Sequence, residues 1–174
     1  SPQKVASTES SAWRGGVLSG QVHDGNAWAM GGVAGHAGLF VTADDVHRLL
    51  NGLPTLLNEE FLELFLEQQE GGRTLGLDAE TRYSAPRGHR FSPRTSAGHT
   101  GFTGTSFWYD RPGDVQVVLL TSRLNPDNQG NVVPLRREVS TLVAADLLVH
   151  QRLGEHRLVT LVVTVPAVAE HVDD

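Results

Sequence analysis

At 174 residues the chain has room for one domain with a proper core, or for a piece of a larger one, and a second complete domain is not expected. Hydrophobic residues at 39% and charged residues at 20% argue against wholesale disorder and predict a packed fold. A net charge of −6, with Lys4 the single lysine and no Lys/Arg cluster, disfavours a nucleic-acid partner, and the lack of cysteine excludes disulfides and thiolate-held zinc while leaving the compartment open.

The start, Ser1-Pro2-Gln3-Lys4, lacks the apolar core of a signal peptide, and its beginning without Met suggests processing or truncation. Residues up to about 40 are dense in Gly, from Gly15-Gly16 to Gly35 and Gly38, which predicts tight turns and close backbone approach. Trp13, Val17, Val22, Trp28, Met30, Val33, Leu39 and Phe40 give this stretch much to bury, so it reads as ordered loop with short helices. His23, Asp24, Asn26 and His36 lack the spacing of a standard metal site, and a structural role, hydrogen-bonding the Gly-rich backbone, is the expectation. No metal and no cofactor is predicted; Gly20 to Gly35 contains no dinucleotide or phosphate-loop signature.

Thr42-Ala43-Asp44-Asp45 has the form of a capping box, with Val46, Leu49 and Leu50 behind it at helical spacing, and predicts a helix from about Ala43 to Asn51. Asn58 caps a second, carrying Phe61, Leu62, Phe65 and Leu66 and ending at Gly71-Gly72. From Thr74 the pattern turns to strands. Gly98 to Asp110 and Asp114 to Ser122, joined by Asp110-Arg111-Pro112-Gly113-Asp114, predict an antiparallel hairpin, and the apolar run Val115 to Leu120 predicts a strand covered on both faces. After a loop from Asn125 to Val133, Pro134 opens a long helix whose apolar side is Leu135, Val139, Leu142, Val143 and Leu147, interrupted by Asp146. Arg136 and Arg137 read as a solvated face. Leu158 to Val165, the most apolar stretch, is too short for the roughly 20 residues of a bilayer span and must be paired or buried. The chain therefore reads as soluble, with its localisation open.

Two blocks resemble one family. Gly20 to Gly38, with Val22-His23-Asp24-Gly25-Asn26-Ala27 and Gly31-Gly32-Val33-Ala34-Gly35-His36-Ala37-Gly38, followed by Leu39-Phe40-Val41-Thr42-Ala43-Asp44-Asp45, is similar to a branch of the serine β-lactamase and D,D-peptidase superfamily, with Val41 in place of the usual Ser. Gly98-His99-Thr100-Gly101-Phe102-Thr103-Gly104 resembles its Lys-Thr-Gly strand in a His-Thr-Gly variant. Asp114 to Arg123, with Asn125 and Pro126, resembles the strand that follows.

The resemblance implies an α/β (α+β) fold, an antiparallel sheet flanked by helices, of which this chain holds the C-terminal portion. Residues 1–150 would be that portion, with 1–73 the helical and Gly-rich part and 74–150 the sheet strands and final helix; residues 151–174 form an unassigned tail with one β-rich segment. It implies a serine hydrolase acting on amide or ester bonds, of β-lactams, D-Ala-D-Ala peptides or esters. The N–H of Phe102 would be one oxyanion donor, Gly101 would let the strand backbone approach the substrate, and His99 and Thr100 would contact a substrate carboxylate or the serine's proton network.

The family's Ser-x-x-Lys nucleophile and Tyr-x-Asn or Ser-x-Asn loop find no match: Ser1-Pro2-Gln3-Lys4 spells the first by chance, and Tyr83-Ser84-Ala85 and Tyr109-Asp110-Arg111 lack the Asn. The isolated chain is thus expected to be inactive, with a small-molecule or peptide substrate in the complete enzyme and an N-terminal complementing fragment or a second copy as partner. The alternative is a non-catalytic remnant serving as an oligomerising or binding module.

Overall fold

In the computed structural model, described for residues 5–124, 130–152 and 160–164, two sheets and four α-helices follow one another. The chain opens as a hairpin, β1 (Ser7–Ser11) and β2 (Gly16–Ser19), turned by a 3-10 turn at Ala12–Arg14. The short helix α1 (Gly25–Ala29) comes next, its first turn capped by the Asp24 carboxylate, which accepts from the Ala27 N–H at 2.8 Å. The hairpin was not anticipated: Ser, Gly and a single Val-Leu pair give no alternation long enough to mark strands.

The helix α2 (Ala43–Leu56) begins on the expected capping box, with Thr42 accepting from the Asp45 N–H and Asp45 accepting from the Thr42 N–H. It runs five residues past Asn51, through Gly52 and Pro54, because three turns of i→i−4 bonding are already in place when the breakers arrive. The next helix, α3 (Glu59–Leu66), starts on the Asn58 cap as predicted and ends well before Gly71-Gly72.

The main sheet has the order β3 (Ser96–Thr100), β4 (Ser106–Asp110), β5 (Val115–Leu120), β6 (Thr160–Thr164). Neighbours β3, β4 and β5 run antiparallel, and β6 pairs with β5 in parallel. The stretch expected as one strand from Gly98 to Asp110 is two, folded at residues 101–105. The turn at residues 110–114 connects β4 to β5 as anticipated. β6 lies within the β-rich tail segment and covers the open side of β5.

β5 is buried from Val115 through Leu119, and the period of two splits it between faces. Val115 and Val117 join Trp108, Phe91, Val143, Ala144 and Leu147 in the core under α4 (Val133–Arg152). Gln116, with 0% of its surface exposed, faces α2, where His47 Nδ1 lies 2.9 Å from its Oε1 and its Nε2 donates to Asn51 Oδ1 at 2.6 Å. Asn51 Nδ2 lies 2.9 Å from His47 Nε2, so the three side chains close a ring of hydrogen bonds that satisfies a polar group in the sheet's interior.

Two burial expectations are overturned. The inward stripe of α4 is Arg136, Ser140, Val143, Ala144 and Leu147, whereas Leu135 and Leu142 are exposed. Of the apolar side chains between residues 13 and 40, Leu18, Val22 and Ala27 are buried, but Trp13 is 69% exposed, Val33 and Leu39 each 77%, and Val17, Trp28, Met30 and Phe40 are exposed too. Trp108 is the one tryptophan that is a buried anchor, at 1%. Ser1–Lys4 and the loop residues 125–129 lie outside the described residues, as do Leu158, Val159 and Val165.

Candidate functional site

His99 and Thr100 are the last residues of β3, a strand at one end of the sheet order. On its outer side β3 exchanges a pair of backbone bonds with Asp78 at Gly98 (2.7 and 2.9 Å). Beyond that bridge the strand end leads into a tight turn. Gly104 N–H donates to the Gly101 carbonyl at 3.2 Å, and Gly101 N–H to the Thr105 carbonyl at 2.7 Å. Glycine is demanded at two points. A Cβ on Gly104, at φ +129°, would sit 2.4 Å from the Thr121 carbonyl, and one on Gly101 would sit 2.4 Å from Thr105 Oγ1.

Phe102 occupies the first corner of this turn, where an N–H is left outside the turn's own bonding. No hydrogen bond engages it among the described residues. Its ring is 60% exposed, stacked on the His23 imidazole at 5.2 Å between centroids, and Arg123 lies with its guanidinium carbon 4.5 Å from the same ring. His23 in turn faces Glu9 at 3.6 Å, and Glu9 faces the buried Arg14 at 3.5 Å. The Gly-rich block therefore reaches the turn through His23. The side chain of His99 is exposed, and its Nδ1 lies 3.1 Å from the Thr100 carbonyl; an Nδ1–H donated there leaves Nε2 for another partner.

The residue that sequence reasoning misplaced is Arg136. Far from lying on a solvated face, it is buried and donates from Nε to the Gly104 carbonyl (3.1 Å) and from one terminal nitrogen to Gly101 (3.0 Å) and Thr105 (2.7 Å). Burial, followed by the nearby Arg123 charge, brings its pKa down to about 10, so it remains a cation near neutral pH. A signal existed: Arg136 continues the Ser140, Val143, Leu147 stripe one turn towards the N-terminus, at i−4 from Ser140. Arg137, its neighbour, is exposed as anticipated.

The Asp24 carboxylate, besides capping α1, lies 3.2 Å from His36 Nε2. The Ala27 N–H and then His36 hold its pKa below the usual carboxylate value. Asp24 thus bonds the backbone of the Gly-rich block, whereas, among the described residues, His36 meets it only through the Asp24 carboxylate. A separate groove of about 810 Å3 opens at the other end of β3, between α3 and the β3–β4 pair, and none of residues 99–102 lines it. The turn is thus an open ledge with an unengaged N–H, two arginines and two imidazoles around it. An N–H left free in this way can donate to negative charge developing on a reacting oxygen.

Comparison with known proteins identifies the family of the chain. The sequence model of the beta-lactamase family matches residues 2–139. A putative D-alanyl-D-alanine carboxypeptidase of Escherichia coli (strain K12) is 34% identical over 146 residues, covering 70% of this chain and 33% of that protein. One of the same name from Salmonella agona (strain SL483) is 35% identical over 123 residues, covering 63% and 28%. An N-acetylmuramyl-L-alanine amidase of Bacillus subtilis (strain 168) is 32% identical over 136 residues, covering 68% and 31%. The chain spans about a third of the length of the curated relatives it matches. No solved structure matches it.

Proposed function

This chain belongs to the beta-lactamase family, whose related members are serine hydrolases, and from that premise we propose that it forms the C-terminal part of a hydrolase acting on amide or ester bonds. Its substrate would be a β-lactam, a D-Ala-D-Ala peptide or an ester. The single observation that carries this reading is the Phe102 N–H, unengaged at a turn built by the His99-Thr100-Gly101 strand. In the tetrahedral intermediate that N–H donates to the oxyanion, while His99 and Thr100 contact a substrate carboxylate or the proton network of the serine. A Ser-x-x-Lys segment on another stretch of polypeptide supplies the nucleophile and the second donor.

The test is labelling of the pure chain with a fluorescent penicillin or a fluorophosphonate, followed by peptide mapping. No stoichiometric adduct is expected. Stoichiometric labelling at one serine would overturn the proposal that the nucleophile comes from elsewhere.

The exposed side chains of Trp13, Val17, Met30, Val33 and Leu39 support a partner for the Gly-rich block, either a complementing N-terminal polypeptide or a second copy. They equally support the second reading, a non-catalytic remnant that works as an oligomerising module. Association with a nucleophile-bearing fragment of the family, accompanied by hydrolysis, selects the first; self-association alone selects the second. Among the described residues no helix is long and apolar enough to cross a membrane.

A further inference from the structure

We propose that Arg136 is a positioning residue for the turn at residues 101–105, fixing the direction of the Phe102 N–H from the side opposite the substrate. The proposal rests on the reading of that N–H as an oxyanion donor, and it adds a residue on a different element to the same site.

Four of the five carbonyls of residues 101–105 have partners in the structure. The Gly101 oxygen accepts from the Gly104 N–H and from Arg136, and the Thr105 oxygen from the Gly101 N–H and from Arg136. The Gly104 oxygen accepts from Arg136 Nε and from the Thr121 hydroxyl, and the Thr103 oxygen from the Arg123 N–H. Among the described residues, Arg136 is the one side chain that touches three of them. A peptide plane whose carbonyl is pinned cannot rotate, and the Gly101 carbonyl belongs to the same peptide plane as the Phe102 N–H. Holding the Gly101 oxygen towards α4 therefore holds the Phe102 N–H away from it.

Arginine suits this task. Its planar fork of five donors reaches several acceptors in fixed geometry, and it stays charged after desolvation, whereas a lysine presents one compact ammonium. Gly101 and Gly104 give the turn backbone freedom to adopt other shapes, and this freedom is what makes an external clamp consequential.

The test is amide hydrogen exchange, read by NMR on the full chain, for wild type, Arg136→Met and Arg136→Lys, with Arg137→Met as the surface control. Arg136→Met is expected to speed exchange of the Gly101, Gly104 and Arg123 amides at least about tenfold and to shift the Phe102 amide resonance, while β4–β5 amides such as that of Val117 keep their protection. Arg136→Lys, which retains a cation if the Met variant fails to fold, is expected to show the same selective loss in smaller degree. Unchanged turn amides in the variants would overturn the proposal, and so would equal acceleration of all amides, which marks a purely structural role. Exchange reports the turn whether or not it serves a hydrolase. A negative result here thus counts against Arg136 alone, and absence of hydrolysis with a nucleophile-bearing fragment counts against the functional reading.

Discussion

The sheet half and the Gly-rich half of this chain contain comparable apolar residues and put them to opposite uses. In the sheet half, Trp108, Val115, Val117 and Leu119 are all but sealed between α2 and α4. Across residues 13–41, Trp13 and Trp28 meet edge to face at 5.4 Å with Arg14 beside both, yet their outer surfaces and those of Val17, Val33 and Leu39 face outwards. A sheet with helices on both faces completes its own core; among the described residues, the outer side of the Gly-rich run has no second layer against which to close. The turn at residues 101–105 lies on the seam, with Phe102 against His23 on one side and the strand end on the other.

The contrast is broken most severely at Trp108. Trp108→Ala is expected to cost about 3–5 kcal/mol in urea denaturation, enough to unfold the sheet half, while Trp13→Ala stays within about 0.5 kcal/mol and reduces self-association in light scattering. Equal losses at the two tryptophans would show that the Gly-rich half buries its apolar surface after all. Next in size is Gln116→Ala, which strips His47 and Asn51 of their bonds to the sheet and is expected to cost about 1–3 kcal/mol. An unchanged midpoint would mean that the ring of amides and imidazole contributes nothing to the packing of α2 on β5.

The smallest effect is at the cap of α2. The Thr42 N–H, and then its hydroxyl, hold the Asp45 carboxyl below its ordinary pKa of 3.8. A depressed folded-state pKa means that the stabilisation is present above 3.8 and fades as the pH falls below it. The melting-temperature difference between wild type and Asp45→Ala is therefore expected near neutral pH and to shrink in acid. A difference that grows in acid would contradict the cap.

What the sequence made legible was local. The capping box at Thr42, the Asn58 cap, the turn at residues 110–114 and the burial of β5 each follow from a few adjacent residues, and each was found. The family resemblance was legible for the same reason, through contiguous strings at residues 20–45 and 98–108. The errors came where partners are distant in sequence. Burial of Arg136 is decided by carbonyls more than 30 positions upstream, and a charge on a helix reads as solvent-facing unless its place on the buried stripe is checked. Exposure of Trp13 and Val33 is likewise invisible in composition, which records that a residue is apolar and says nothing of whether a second layer covers it.

The central claim, that this chain carries an oxyanion donor whose nucleophile lies elsewhere, is met most directly by Phe102→Pro in complementation with a polypeptide bearing the family's Ser-x-x-Lys segment. Proline suits the first corner of a turn, so the variant keeps the backbone and loses the N–H, and Phe102→Ala controls for the ring. The account predicts that kcat for hydrolysis of a chromogenic β-lactam or ester falls about 10²–10³-fold with Phe102→Pro, and much less with Phe102→Ala. Hydrolysis that survives Phe102→Pro as well as it survives Phe102→Ala would contradict it.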